Sequence, residues 1–248
     1  EQGAGHAAEG YSQASGKVGV CIATSGPGAT NLVTALNDAK MDSFSMLAIT
    51  GQVPNPLIGT DAFQEAPVFN LFSHVTRHNY LIRDKDELIK SVKEAMYLAR
   101  KGRPCPVAID IPKDIQNMNV TPDYDKDIDN NIKEKIMYKF NLDNIEKAAS
   151  LIKKSKRPVI YAGGGIIHSD ATKELSDFVN LTDIPVTMTL KGLGCYPYNE
   201  KNIGFLGMHG NIAANYTLNL ADLIIAIGTR FDDRVTGKVS EFAPYAKV

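Results

Sequence analysis

EQGAGHAAEGYSQASGKVGVCIATSGPGATN, residues 1–31, runs from an acid through a short apolar segment into a glycine-rich bend, and its reading sets the fold. Residues 18–23 are rich in Val and Ile and bounded by Gly16 and by Thr24-Ser25-Gly26, which predicts a buried strand. In SGPGATNLVTALNDA, Gly26 and Gly28 permit a tight turn, Pro27 fixes its own φ, and Leu32, Ala35, Leu36 and Ala39 recur at helical spacing. A strand should therefore turn directly into a helix whose first N–H groups face the space beyond the strand's end. Taken alone, such a junction more often serves ordinary strand-helix packing than ligand binding.

Outward from this stretch the rhythm repeats. Apolar runs at 46–50 and 106–111 alternate with helical spacing at 4–14, 29–40 and 87–100, the mark of a parallel sheet covered by helices. The Gly- and Pro-rich GQVPNPLIGTDAFQEA is long enough to be a functional loop at the carboxyl end of such a sheet. Residues 116–141 turn polar and mixed in charge without a period, and read as an interdomain linker. A second alternation follows: helix 142–153, strand 158–162, a Gly163-Gly164-Gly165 turn, helix 170–180, strand 184–189, a loop over 191–211, helix 213–220, strand 222–227 and the turn GTRFDDRVTG. The fold class is thus α/β, two doubly wound parallel-sheet domains over 1–115 and 142–248.

Composition agrees. In 248 residues, 44% apolar and 22% charged content is globular, and a formal charge of −1 without a basic block gives no footprint for nucleic acid or an anionic membrane surface. No apolar run approaches a membrane span. Cys21, Cys105 and Cys195 are widely spaced and odd in number, which fits reduced thiols rather than disulfides or a zinc site. His6, His74, His78 and His168 lack metal-ligand spacing and read as packing or solvated residues.

Seven segments in order, EQGAGHAAEGY, VCIATSGPGATNLVT, ITGQVPNPLIGTDAFQE, PVAIDIPKDIQ, LKGLG, LGMHG and GTRFDDRVTG, closely resemble the catalytic large subunit family of acetolactate synthases, which are thiamine diphosphate enzymes. The resemblance implies a partial thiamine-pyrimidine-binding domain followed by part of a middle FAD-binding domain, within a chain more than twice this length. It implies decarboxylation of pyruvate and condensation of the two-carbon unit with pyruvate or 2-oxobutyrate, on the route to branched-chain amino acids. Thiamine diphosphate and FAD are the implied cofactors. Mg2+ is implied too, but the GDG and paired asparagines that hold it are absent from this sequence, so its ligands are expected in a further domain. Cofactors in this family sit between subunits, so a homodimer or higher homo-oligomer is implied, with room for a regulatory small subunit. On these grounds the 248 residues alone are expected to be inactive. The expected location is cytoplasmic, or plastid in a plant or alga.

The resemblance assigns roles residue by residue. Glu1 matches the glutamate that hydrogen-bonds N1' of the aminopyrimidine, where a shared proton tunes the cofactor. Pro27 and Asn31 match the lining of that pocket, and Gln64 a position beside the reactive centre. Phe63 and Lys113 match the substrate channel, where the lysine suits a 2-oxo acid's carboxylate. Pro54 and Ala62 match herbicide positions at the channel mouth. For FAD, Gly163, Gly164, Gly165, Thr189, Leu190, Met208, His209, Gly228, Arg230, Asp232 and Arg234 match the second domain, the arginines placed for pyrophosphate and the carboxylate for a ribose hydroxyl. Arg103 matches a contact to FAD from the first domain. Two rivals stand beside this reading: a related thiamine flavoenzyme, pyruvate oxidase or glyoxylate carboligase, and a non-catalytic FAD-binding module.

Overall fold

The computed structural model describes residues 1–122 and 141–248, so most of the expected linker, 123–140, lies outside the described residues. The chain divides into two compact units, Glu1–Tyr138 and Lys139–Val248.

The first unit runs α1 (Gln2–Ser15), β1 (Gly19–Ala23), α2 (Pro27–Thr30), α3 (Val33–Asp42), β2 (Met46–Gln52), α4 (Val68–Ser73), β3 (His78–Leu81), α5 (Leu88–Arg100), β4 (Val107–Pro112) and α6 (Lys113–Gln116). Its strands lie in the order β1-β2-β4-β3, every pair parallel. The near-continuous apolar sequence of β2 and β4 is what a strand covered on both faces requires. Met46, Ala48 and Ala108 face one way and pack with Ala8, Leu36 and Phe72 from α1, α3 and α4. Leu47, Val107 and Ile109 face the other way onto Ala95 and Ala99 of α5. Leu36 is fully buried, so Leu36→Ala should cost roughly 2–5 kcal/mol. Gly16 ends α1 in the left-handed conformation at φ 68°, donating its N–H to the Ser12 carbonyl.

Helix α1 approaches α3 closely because Gly5 has no side chain. A Cβ there would lie 2.6 Å from the Ala35 Cβ. The helix expected over 29–40 is divided. Asn31 and Leu32, at ψ −11° and −13°, tighten the chain between α2 and α3.

The second unit contains α7 (Leu142–Lys154), β5 (Pro158–Ala162), α8 (Gly164–His168), α9 (Thr172–Thr182), β6 (Val186–Met188), β7 (Asn202–Phe205), α10 (Ile212–Asn219), β8 (Leu223–Ile227) and α11 (Asp233–Thr236). Strand order is β7-β6-β5-β8, again all parallel. Ile160, Ala162, Val186 and Met188 pack with Leu175 and Val179 of α9 on one face. Val159, Tyr161 and Ile224 pack with Leu218 of α10 on the other. Both units are therefore doubly wound α/β layers, as the alternation predicts. The order reverses between β5 and β8, which places a crevice at the carboxyl ends of those two strands.

Two differences from the sequence reading stand out. The glycine triplet is not a simple turn, since Gly163 is extended at φ −117° and ψ −179° and Gly164 already begins α8. The loop expected over 191–211 contains β7. All three cysteines are unpaired and buried. Among the described residues no helix is long and apolar enough to cross a membrane.

Candidate functional site

In the first unit the register of the parallel ladder aligns Ala23 with Thr50, Thr50 with Asp110 and Gln52 with Pro112, so the chain leaves β1, β2 and β4 at one edge. At that edge Gly26 turns the chain with φ 59° and ψ −119°, a conformation open to glycine and strained for other residues. Pro27 follows at the first helical position, where its missing N–H costs nothing. Glu1 precedes α1, and its carbonyl accepts the Gly5 N–H at 3.0 Å. Its carboxylate does not cap the helix. Instead Asn31 Nδ2 donates to Glu1 Oε2 at 3.3 Å, and a Cβ at Gly28 would lie 3.7 Å from Glu1 Cγ. The acid thus meets the turn that follows the bend, Glu1 bonding Asn31 thirty residues on.

The loop after β2 completes this edge. Gln64 has φ 58°, unusual for a side-chain-bearing residue, and its carbonyl oxygen would lie 2.6 Å from a Cβ on Gly26. Phe63, 88% exposed, projects from the same loop. Glu65 holds the loop's shape: its carboxylate accepts the Gly59 N–H at 2.5 Å and the Ala62 N–H at 3.1 Å. Those backbone donors, Gly59 foremost, keep the Glu65 carboxyl below the usual carboxylate range. Pro54 is half-buried before the short helical turn Asn55–Leu57, and Ala62 lies in the same loop. Lys113 opens α6 directly after β4, exposed at the same edge. No bond joins it to Glu1, Asn31 or Gln64 among the described residues.

Arg103 lies elsewhere. Its Nε donates to Ser43 Oγ at 2.6 Å and its Nη2 to the Lys40 and Met41 carbonyls at 3.0 and 2.8 Å, closing the last turn of α3. Ser43 precedes β2 and Arg103 precedes β4, so the guanidinium sits at the amino end of the sheet, away from Glu1.

In the second unit the loops leaving β5, β6, β7 and β8 meet at close quarters. A Cβ on Gly163 would lie 2.3 Å from the Gly228 oxygen, and one on Gly165 would lie 2.6 Å from Gly228 Cα. Gly228 itself has φ 60°. A Cβ on Gly164 would approach the Lys191 carbonyl to 3.1 Å, and Thr189 Oγ1 accepts the Gly192 N–H at 2.9 Å. The Met208 N–H donates to the Arg234 carbonyl at 2.8 Å, tying the third loop to the fourth. Leu190, Met208 and His209 are exposed on this rim. Arg230 and Asp232 form a loose pair at 3.8 Å. Asp232 also accepts the Arg234 N–H at 3.0 Å and so caps α11. The structure brings together the glycines, Thr189, Leu190, Met208 and the RFDDR segment, with backbone rather than side chains lining the β5–β8 crevice.

These surfaces match known domains. Residues 1–71 match the family model described as thiamine pyrophosphate enzyme, N-terminal TPP binding domain, and residues 145–248 match thiamine pyrophosphate enzyme, central domain. The chain belongs to the thiamine pyrophosphate enzymes. Along its whole length it is 50% identical to acetolactate synthase 3, chloroplastic, of Brassica napus, of which it covers 38%. It is 51% identical to acetolactate synthase 1, chloroplastic, of Zea mays, covering 39% of that protein, and 51% identical to the acetolactate synthase large subunit of Corynebacterium glutamicum, covering 40%. The chain spans about two fifths of the length of these relatives.

The first unit fits what a thiamine pyrophosphate enzyme asks of its pyrimidine side: an accessible carboxylate already aligned by Asn31, beside a bend too close for a side chain at Gly28. The second unit's backbone crevice fits a dinucleotide approaching between β5 and β8. Mg2+ is different. Among the described residues one group, His6, Glu9 and Asp38, sets three donor atoms within 4.8 Å of one another, and an imidazole is a poor ligand for a hard cation. The described residues do not fit Mg2+.

Two contributors escaped the sequence reading. Thr24 Cγ2, which would lie 2.7 Å from a Cβ at Gly28, wedges the bend against β1. Asp110 is buried in β4 and accepts Thr50 Oγ1 at 2.7 Å and Gln52 Nε2 at 3.0 Å. Burial pushes its carboxyl up to about 6, against the lowering effect of those two bonds. Both Gln52 and Asp110 sit in quoted motifs, but nothing in those motifs signals their pairing.

Proposed function

We propose that this chain forms part of the catalytic subunit of an acetolactate synthase, which decarboxylates pyruvate and joins the two-carbon unit to a second pyruvate or to 2-oxobutyrate. The observation that carries the reading is the approach of Glu1 to Asn31 across the bend, in a chain half identical to acetolactate synthases along its entire length. Thiamine diphosphate, when bound, supplies the carbon nucleophile that neither unit's side chains offer. Glu1 would hold a proton against the aminopyrimidine nitrogen, with Asn31 fixing the carboxylate's direction. Pro27 and Gly28 would present a backbone wall to the flat ring. Gln64 and Phe63 would border the reacting carbons, and Lys113 would attract a 2-oxo acid's carboxylate to the same edge.

In the second unit, Gly163, Gly164, Gly165 and Gly228 would let FAD approach the backbone. Thr189, Leu190, Met208 and His209 would line its rim, and Arg230, Asp232 and Arg234 would meet its pyrophosphate and ribose. Arg103, engaged with α3, would have to exchange those carbonyls for a flavin contact. Mg2+ ligands, a partner subunit and any regulatory subunit would lie beyond these residues. The location would follow the organism, plastid for a plant or alga and cytoplasm otherwise.

The test is acetolactate formation by the full-length protein supplied with thiamine diphosphate, FAD, Mg2+ and pyruvate. Acetolactate without net flavin reduction is expected. Bleaching of the flavin by pyruvate would favour an oxidase, and flavin binding without thiamine diphosphate binding would favour a non-catalytic module.

A further inference from the structure

The loop that carries Phe63 and Gln64 enters the core at its end, where Ala66 packs with Val68 and Phe72. Behind it lies a cavity of about 310 Å³ whose wall includes Gln52, Gly59, Glu65, Ala66, Arg83 and Asp110. Across such a gap side chains lose the contacts that normally fix a loop. Beside that packing, one buried amide ties the loop's end to β4. Gln52, 6% exposed at the end of β2, uses Nε2 to donate both to the Ala66 carbonyl at 3.1 Å and to Asp110 Oδ2 at 3.0 Å, while its Oε1 accepts the Val53 N–H at 2.9 Å. All three of its bonds agree on one orientation, which the acid reinforces. An asparagine at 110 could still face Gln52 with its oxygen and donate to Thr50 Oγ1, because the two partners bond different oxygens of the acid, whereas an apolar side chain would leave the Gln52 N–H unmet.

Asp110 is 3% exposed in a central strand, and no cation is bonded to it among the described residues; Glu65 and Arg83 share the cavity wall. A buried carboxylate partnered only by a hydroxyl and an amide is costly to keep, and an apolar residue would fill β4 more cheaply. Its geometry accounts for its presence. From Ala66 the chain returns through Glu65, whose carboxylate gathers Gly59 and Ala62 into one closed loop, to Gln64 packed against Gly26. Whatever fixes Ala66 therefore fixes Gln64 against the bend that meets Glu1.

We propose that Asp110 is a positioning residue: acting through Gln52, it anchors the 59–66 loop across the cavity and so sets where Gln64 stands beside the thiamine site, which it does not touch. The inference rests on the site reading proposed above, and its test separates the two. In the full-length protein without cofactor, backbone hydrogen exchange over 59–66 is compared between wild type, Asp110→Leu, Gln52→Met and Thr50→Val. The last removes a bond to the same acid without touching the amide. Asp110→Leu and Gln52→Met are expected to speed exchange over 59–66 at least tenfold, and Thr50→Val less than threefold. With cofactors present, kcat should fall about tenfold in the first two while the thiamine diphosphate Kd moves less than threefold, a split that general destabilisation would not produce. Gln52→Met keeps the test open if Asp110→Leu does not fold. Equal exchange in Asp110→Leu, Gln52→Met and Thr50→Val would overturn the proposal, as would faster exchange with unchanged kcat. Failure of the wild type to bind thiamine diphosphate would remove the site reading and the inference with it, and would show before any variant is compared.

Discussion

Replacing Gly26 by alanine would test how tightly the bend is built. Two separate costs arise. At φ 59° and ψ −119° an L-residue is strained, by about 1–3 kcal/mol. The new Cβ would also lie 2.6 Å from the Gln64 oxygen, where ordinary contact begins near 3.4 Å, so the loop or the bend must retreat by about 0.8 Å. The listener here is backbone, which cannot swing aside, and overpacking of this kind costs about 1–3 kcal/mol more. Together these give about 2–6 kcal/mol, a large share of a domain's usual stability. Gly16→Ala supplies the control, because Gly16 is also left-handed at φ 68° but has nothing within 4 Å. It should lose only the backbone share, about 1–2 kcal/mol. Stability is read by hydrogen exchange in β1 and β2 across a urea series, and thiamine diphosphate affinity is measured in the full-length protein. Gly26→Ala should be the less stable and lose affinity at least tenfold. Equal stability of the two variants, with affinity unchanged, would refute the claim that loop and bend are in enforced contact.

Three further outcomes are expected. Gly163→Ala, whose Cβ would lie 2.3 Å from the Gly228 oxygen, should raise the FAD Kd at least tenfold by flavin fluorescence titration. Gly10→Ala, on the exposed side of α1 with nothing within 4 Å, should stabilise the first unit by roughly 0.5–1 kcal/mol in the same urea series. Asp110 binds its proton more tightly folded, at about 6, than in the unfolded chain, at about 3.9. Its contribution is thus fully present below about pH 4 and lost as pH rises through about 6, worth about 3 kcal/mol at most. Relative to Asp110→Asn, the wild type should gain that stability on acidification from pH 7 to pH 4, and parallel pH profiles would contradict it.

Much of this architecture is legible in the sequence because most of its strands are nearly unbroken apolar runs. VCIA, MLAIT and PVAIDI announce β1, β2 and β4 in this way, even though β1 is a sheet edge with Val20 and Ile22 exposed. Strands β3 and β7 are edges too, but HNYL and NIGF are short, only partly buried and interrupted by polar or glycine residues, so no apolar run marks them. Gly204 in β7 even adopts φ 88° beside a register shift, so no strand period survives there to be read. At the glycine triplet the residues signal conformational freedom. The structure uses that freedom chiefly for space, since Gly163 and Gly165 are pressed against Gly228 rather than turned to positive φ. The site is legible only in part. Glu1, Asn31 and Gln64 are chemically suggestive, yet their meeting depends on Gly5 drawing α1 onto α3 and on Glu65 folding its own loop, contacts that no local period encodes. Arg103, matched to a flavin contact, also has a local use that its motif does not signal: its guanidinium bonds carbonyls at the end of α3.

In the proposed reading the carboxylate of Glu1 reaches the aminopyrimidine ring beside the bend. Exchange of the C2 proton of thiamine diphosphate, followed by NMR in the full-length protein, reads that contact directly. Glu1→Gln should slow exchange by about 10²–10⁴-fold while the cofactor stays bound, and exchange at the wild-type rate in that variant would contradict the assignment.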